Sequence, residues 1–221
     1  MKCLMRKSKS VLIAGLMTLS LLGFKSDEFS LGDLKNYERE YKSESVGACS
    51  VSSTKTYEDY RAITDTSSKQ YRFIQEHMTV DETTGMLYDE DGFIGVAMAW
   101  GFGDIGTRYY VVLDTGIIIP VVKVDAKAFV DAPNGCSHAA DASVIEFVID
   151  SGKAYEYFGG GNGLALNGNF NNYEFLNGHI LDIELVLDEK LEEGVVYEVE
   201  MADTVKETET SDGIQVVEGG Y

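Results

Sequence analysis

Between residues 57 and 200 the apolar positions come in short runs, and polar or glycine-rich turns separate them. FIGVAMAW (93–100), TRYYVVL (107–113), IIIPVVKV (117–124) and SVIEFVID (143–150) are β-branched and aromatic, each bounded by turn residues. SKQYRFIQEHMTV (68–80) reads as a further strand, and HILDIELVL (179–187) and GVVYEVEM (194–201) close the series. No apolar period of 3.6 persists in this region, so the pattern predicts an all-β barrel or sandwich. Asp114-Thr115-Gly116 and the Asn-Gly pairs at 167–168 and 177–178 supply hairpin signals, and DETTGMLYDEDG is acidic turn material.

The flanks differ from this core. MKCLMRKSKS holds four basic residues and no acid, and fourteen uncharged residues follow, which is the pattern of a secretory signal or short anchor over 1–25. Residues 26–56 are polar and lack periodicity, so they read as a linker ahead of a β domain at 57–200. Residues 201–221 form an acidic tail. The expected localisation is secreted or cell-surface associated, with membrane contact only through the N-terminal segment.

Net charge is −19, and five of the 18 Lys and Arg residues lie in the first 25 positions, where none of the 37 Asp and Glu residues occurs. A surface this acidic repels nucleic acid, which is therefore not an expected partner. Cys49 and Cys136 remain beyond the signal; in an exported chain they could form one disulfide, and two free thiols are the equal alternative. No CxxC, HExxH or Cys/His cluster suggests a metal, and no nucleotide loop or Gly-x-Ser-x-Gly suggests a cofactor or serine nucleophile. Oligomeric state is not legible.

The segment GVAMAWGFGDIGTRYYVVLDTGIIIPVVKVDAKA resembles the central part of a double-psi β-barrel. It is similar to the three-aspartate (3D) domains of Gram-positive cell-wall proteins and, more distantly, to rare lipoprotein A-like domains. It also resembles uncharacterised exported and phage-borne proteins with an IGTRY…DxKA…IEFxVD pattern. Gly95-Val96-Ala97 matches the first strand, Gly106-Thr107 the turn, Asp125 the active-site acid and SVIEFVID the closing strand. The chain departs from the 3D pattern at Ala99-Trp100, where Asp-Pro is expected. It departs again at Asp125-Ala126-Lys127, where Asp-Thr-Gly is expected; Asp131 is a loose stand-in for a later aspartate.

The resemblance implies a mainly β fold, a small closed double-psi-like barrel with extra hairpins. It also implies a lytic transglycosylase-like cleavage of peptidoglycan or another wall glycan. In that reaction one carboxylic acid protonates the glycosidic oxygen. Asp125 is the candidate catalytic acid, and Lys127, Asp131, His138 and Trp100 are candidate substrate-binding residues. Strand alternation would put Lys123, Asp125 and Lys127 on one face, where an ion pair would be the plain structural alternative. Trp100, Phe102, Tyr109 and Tyr110 could stack on sugar or fill the core. Two other functions compete: a non-catalytic module binding wall glycan or protein, and a retropepsin-like protease using Asp114-Thr115-Gly116.

Overall fold

The computed structural model describes residues 30–159 and 170–191. Among these residues the chain is mainly β, with nine strands in one mixed sheet. In order these are β1 (Tyr41–Ser45), β2 (Thr56–Asp59), β3 (Thr79–Val80), β4 (Leu87–Tyr88), β5 (Ile94–Met98), β6 (Arg108–Leu113), β7 (Ile118–Ala126), β8 (Glu146–Ile149) and β9 (Ile180–Lys190). Among the described residues two α-helices, α1 (Lys69–His77) and α2 (Ser151–Phe158), complete the frame.

The pairings follow β1-β9-β6-β7-β5-β4-β3, and β8 and β2 branch from β5. One edge of β5 lies parallel to β7. The other edge is divided: Ile94 faces Tyr88 of β4, whereas Val96 and Ala97 face Phe147 and Glu146 of β8. Strand β2 then lies parallel to β8. This corrects the expectation of a closed barrel. Two short partners share the second edge of β5, so the ladder forks there instead of returning to β1.

Alternation along the central strands explains why they read as unbroken apolar runs. Ile94, Val96 and Met98, with Tyr109, Val111, Leu113, Phe147 and Ile149, enter one buried cluster with Phe170, Leu176 and Ile183. Ala97, Tyr110, Val122, Val124 and Val148 enter a second, with Tyr41, Ile74 and Phe93. Both faces of the sheet are therefore covered, and apolar side chains are needed on both sides of each central strand. Pro120 is tolerated in β7 because it faces Tyr110 on one edge, while β5 joins the other edge only from Val121 onward.

Three expectations change. SKQYRFIQEHMTV is mostly the helix α1, with only Thr79–Val80 in a strand. Ser68 caps it by accepting from the Tyr71 N–H at 3.1 Å. Tyr71, Ile74 and the C-cap Met78 follow helical spacing even though tyrosine and isoleucine favour strands. The expected linker is also partly inside the fold: β1 pairs with β9, Leu31 and Leu34 are buried, and the Tyr110 hydroxyl accepts from the Glu40 and Tyr41 N–H groups. Finally, Asn177-Gly178 leads into β9 from a short 3-10 turn and makes no hairpin. The signal segment, the Asn-Gly at 167–168, the strand expected at 194–201 and the acidic tail lie outside the described residues.

Cys49 and Cys136 form a disulfide with a Cα–Cα distance of 6.2 Å, joining positions 87 residues apart. That distance is ordinary for a disulfide. It fastens the segment before β2 to the loop after β7.

Candidate functional site

Strand register assembles the site. Thr56 of β2 faces Glu146 of β8, Glu146 faces Ala97 of β5, and Ala97 faces Asp125 of β7. These four residues form a row across four strands, and Glu58, two residues beyond Thr56, shares its face. Ala97 is the small member of the row, so the space between Glu146 and Asp125 stays open. The result is a pocket of about 350 Å³ lined by this row, Glu58, Lys127, Asp131, His138, Asp141 and Ser143.

A bulge in β7 aims the acid. Val96 pairs with Lys123 but Ala97 pairs with Asp125, which leaves Val124 as an extra residue. The strand is therefore not continuous across Lys123 and Asp125, and the three-residue charged face expected from alternation does not form. The buried Lys123 ammonium instead donates to the Ala99 and Gly103 carbonyls at 2.9 and 2.8 Å. The Lys127 ammonium donates to the Ser143 hydroxyl and carbonyl at 3.0 and 3.2 Å. Among the described residues neither lysine forms a salt bridge with Asp125.

The partner of Asp125 is Glu58. The Oε1 atom of Glu58 is buried, and among the described residues no N–H or O–H is placed to donate to it. Its carboxyl group instead meets that of Asp125. Two ionised carboxylates set side by side repel, so the pair favours keeping one proton. Burial is the main reason that Glu58 is pushed up to about 8; the hydrogen bond and charge of Asp125 add to it, then the charge of Glu146. Lys127 opposes the shift and is outweighed. Glu58 therefore keeps its proton at neutral pH.

The surrounding groups frame this pair. Burial lowers the Lys127 ammonium below the usual lysine range, and Glu146, Asp141, Glu58 and Asp131 partly offset it. Burial acts to raise Asp141, but hydrogen bonds from Ser143 and the nearby His138 and Lys127 leave it below the usual carboxylate range. His138 Nδ1 lies 3.4 Å from Asp141 and accepts from the Ala140 N–H at 3.2 Å. Among the described residues no three His, Cys, Asp or Glu side chains are placed to hold a metal ion.

Four expected site residues thus line one pocket: Asp125, Lys127, Asp131 and His138. Trp100 does not line it. It sits beyond the end of β5, exposed, with its indole against Gly135 of the β7–β8 loop. Phe102, Tyr109 and Tyr110 are buried in the core. Glu58 and Glu146 were not legible as site residues. Glu58 lies in a polar stretch without strand alternation, and Glu146 passes for the polar position of an apolar strand. Asp114-Thr115-Gly116 forms the β6–β7 hairpin, with Gly116 at φ +83°. Asp114 accepts there from the His179 N–H at 2.9 Å and lies 3.2 Å from its Nδ1.

No family model, curated protein or solved structure matches the chain.

Proposed function

We propose that this is an exported cell-envelope protein that cleaves peptidoglycan glycan strands by a single-acid, lytic transglycosylase-like route. The observation that carries the reading is the buried Glu58 carboxyl group set in one pocket with Asp125. Glycosidases with two independent carboxylates separate them by about 5–9.5 Å to seat a nucleophile or a water. Here Glu58, kept protonated by burial and by the neighbouring Asp125, serves as the single acid. The sequence resemblance to 3D-type domains supports the same chemistry, because Asp125 stands where that pattern has its acid. The basic and apolar N-terminus and the disulfide support export.

In this reaction the Glu58 carboxylic acid donates its proton to the glycosidic oxygen as that bond breaks. The sugar's own hydroxyl attacks the anomeric carbon and closes an anhydro ring. Its proton returns to the Glu58–Asp125 pair, so no water is consumed. Lys127, anchored by Ser143, steadies the negative charge left on the pair. Asp131 and His138 at the rim accept and donate hydrogen bonds to sugar substituents.

Purified protein incubated with peptidoglycan is expected to release anhydro-sugar products, detected by mass spectrometry. Glu58→Gln and Asp125→Asn are each expected to slow release by about 10²-fold or more. Equal rates in the wild type and both variants would refute the assignment. A second reading, a non-catalytic module that binds wall glycan, is favoured by the exposure of Trp100 and by the missing Asp-Pro and Asp-Thr-Gly elements of the 3D pattern. It would give retention on peptidoglycan without products.

A further inference from the structure

We infer that Trp100 and Phe129 form a sugar-stacking subsite next to the acid pocket, so that the site takes a glycan chain of several units. The inference rests on the glycan reading above. Trp100 is 54% and Phe129 68% exposed, although both are large apolar side chains. Their rings lie within 27° of parallel with centroids 6.3 Å apart, and Val130 beside them is also exposed. Adjacent exposed aromatics are costly in water unless a partner covers them.

Both residues belong to segments that leave the pocket. Trp100 follows three residues after Ala97, and Phe129 directly after Ala128; both alanines line the pocket. The Lys127 N–H donates to the Met98 carbonyl at 3.1 Å, which joins the two segments just behind the rings. The Gly101 N–H donates to the Gly135 carbonyl at 3.0 Å. A Cβ on Gly135 would lie 2.8 Å from the indole, and at φ +75° a side chain would be strained as well. The indole is therefore seated against bare backbone, with a face left to solvent. The Cys49–Cys136 disulfide fixes the next residue of the same loop.

The occupant that fits is a pyranose chain. A sugar ring has an apolar C–H face for stacking and hydroxyls that suit the carboxylates, lysine and histidine of the adjoining pocket. A pocket of about 350 Å³ cannot hold a polymer. With the platform the site becomes an open track, as cleavage within a long strand requires.

Trp100 is the only tryptophan in the chain, so its fluorescence reports on the subsite directly. Glu58→Gln protein, with chemistry removed, is titrated with β-1,4-linked N-acetylglucosamine oligomers of two and of four or more units. A saturable emission shift is expected, with tighter binding of the longer oligomers. Phe129→Ser is expected to weaken the longer oligomers about three- to tenfold and abolish their advantage over the disaccharide. Trp100→Phe, followed by calorimetry, should retain part of the affinity. An unshifted emission, or identical affinity in the wild type and Phe129→Ser, overturns the subsite. If the shift and the Phe129 effect appear but Glu58→Gln and Asp125→Asn leave glycan release unchanged, the subsite stands and the acid assignment fails.

Discussion

Glu58 carries a charge penalty that its environment resolves by keeping it protonated. The penalty is visible as pH dependence. The folded carboxyl titrates near 8 and the unfolded one near 4.5, so between these values the unfolded chain binds fewer protons. Stability should fall as pH rises through that window, and Glu58→Gln, which cannot ionise, should remove the slope. The variant is expected to be more stable than wild type at pH 8 by a few kcal/mol and nearly equal at pH 4, read by urea denaturation at each pH. A slope that survives in Glu58→Gln would show that another group carries it. Lys55 shows the opposite case: a fully buried ammonium, lowered to about 8 by burial, made tolerable by donating to the Gly178 and Ser53 carbonyls.

At the scale of elements, the β4–β5 turn is pinned to β6 by charge. The Asp89 carboxylate accepts from the Asp91 and Phe93 N–H groups, which shapes the turn. It also receives Arg108, whose Nη2 lies 2.6 Å away and whose guanidinium sits 4.8 Å from the centre of the Phe93 ring. Burial pushes Asp89 upward despite those donors. Arg108→Met strands a buried acid and is expected to cost about 3 kcal/mol, more at high pH than at low. The double variant Arg108→Met/Asp89→Asn should regain most of it. Additive losses in thermal or urea unfolding would mean the two side chains do not act as a pair.

Across the whole molecule, the disulfide links the N-terminal segment to the loop that frames the pocket and carries Phe129. Closing a loop of 87 residues restricts the unfolded chain, a gain of roughly 4 kcal/mol on the chain-entropy account. Cys49→Ser/Cys136→Ser should lose about that much in urea unfolding and should also weaken oligosaccharide binding by loosening the loop. A loss under about 1 kcal/mol would show that the other contacts of the loop hold it unaided.

Much of the fold could be read from the chain alone. The runs at 93–100, 107–113, 117–124, 143–150 and 179–187 became β5 to β9 because continuous apolar, β-branched segments suit strands buried on both faces. Local turn chemistry marked Asp114-Thr115-Gly116 for the same reason: its geometry depends on neighbours in sequence. Helix α1 was not read from the chain, since its aromatic and β-branched residues spoke for a strand; its Ser68 cap and the spacing of its apolar residues were the signals that could have marked it. Asp125, Lys127, Asp131 and His138 could be nominated because they fall within fourteen consecutive residues. The pairing of Glu58 with Asp125 could not. It depends on the parallel β2–β8 register, on β8 taking half an edge of β5, and on a bulge in β7. Each is a long-range choice made by packing, and no local pattern encodes which carboxylate will meet which.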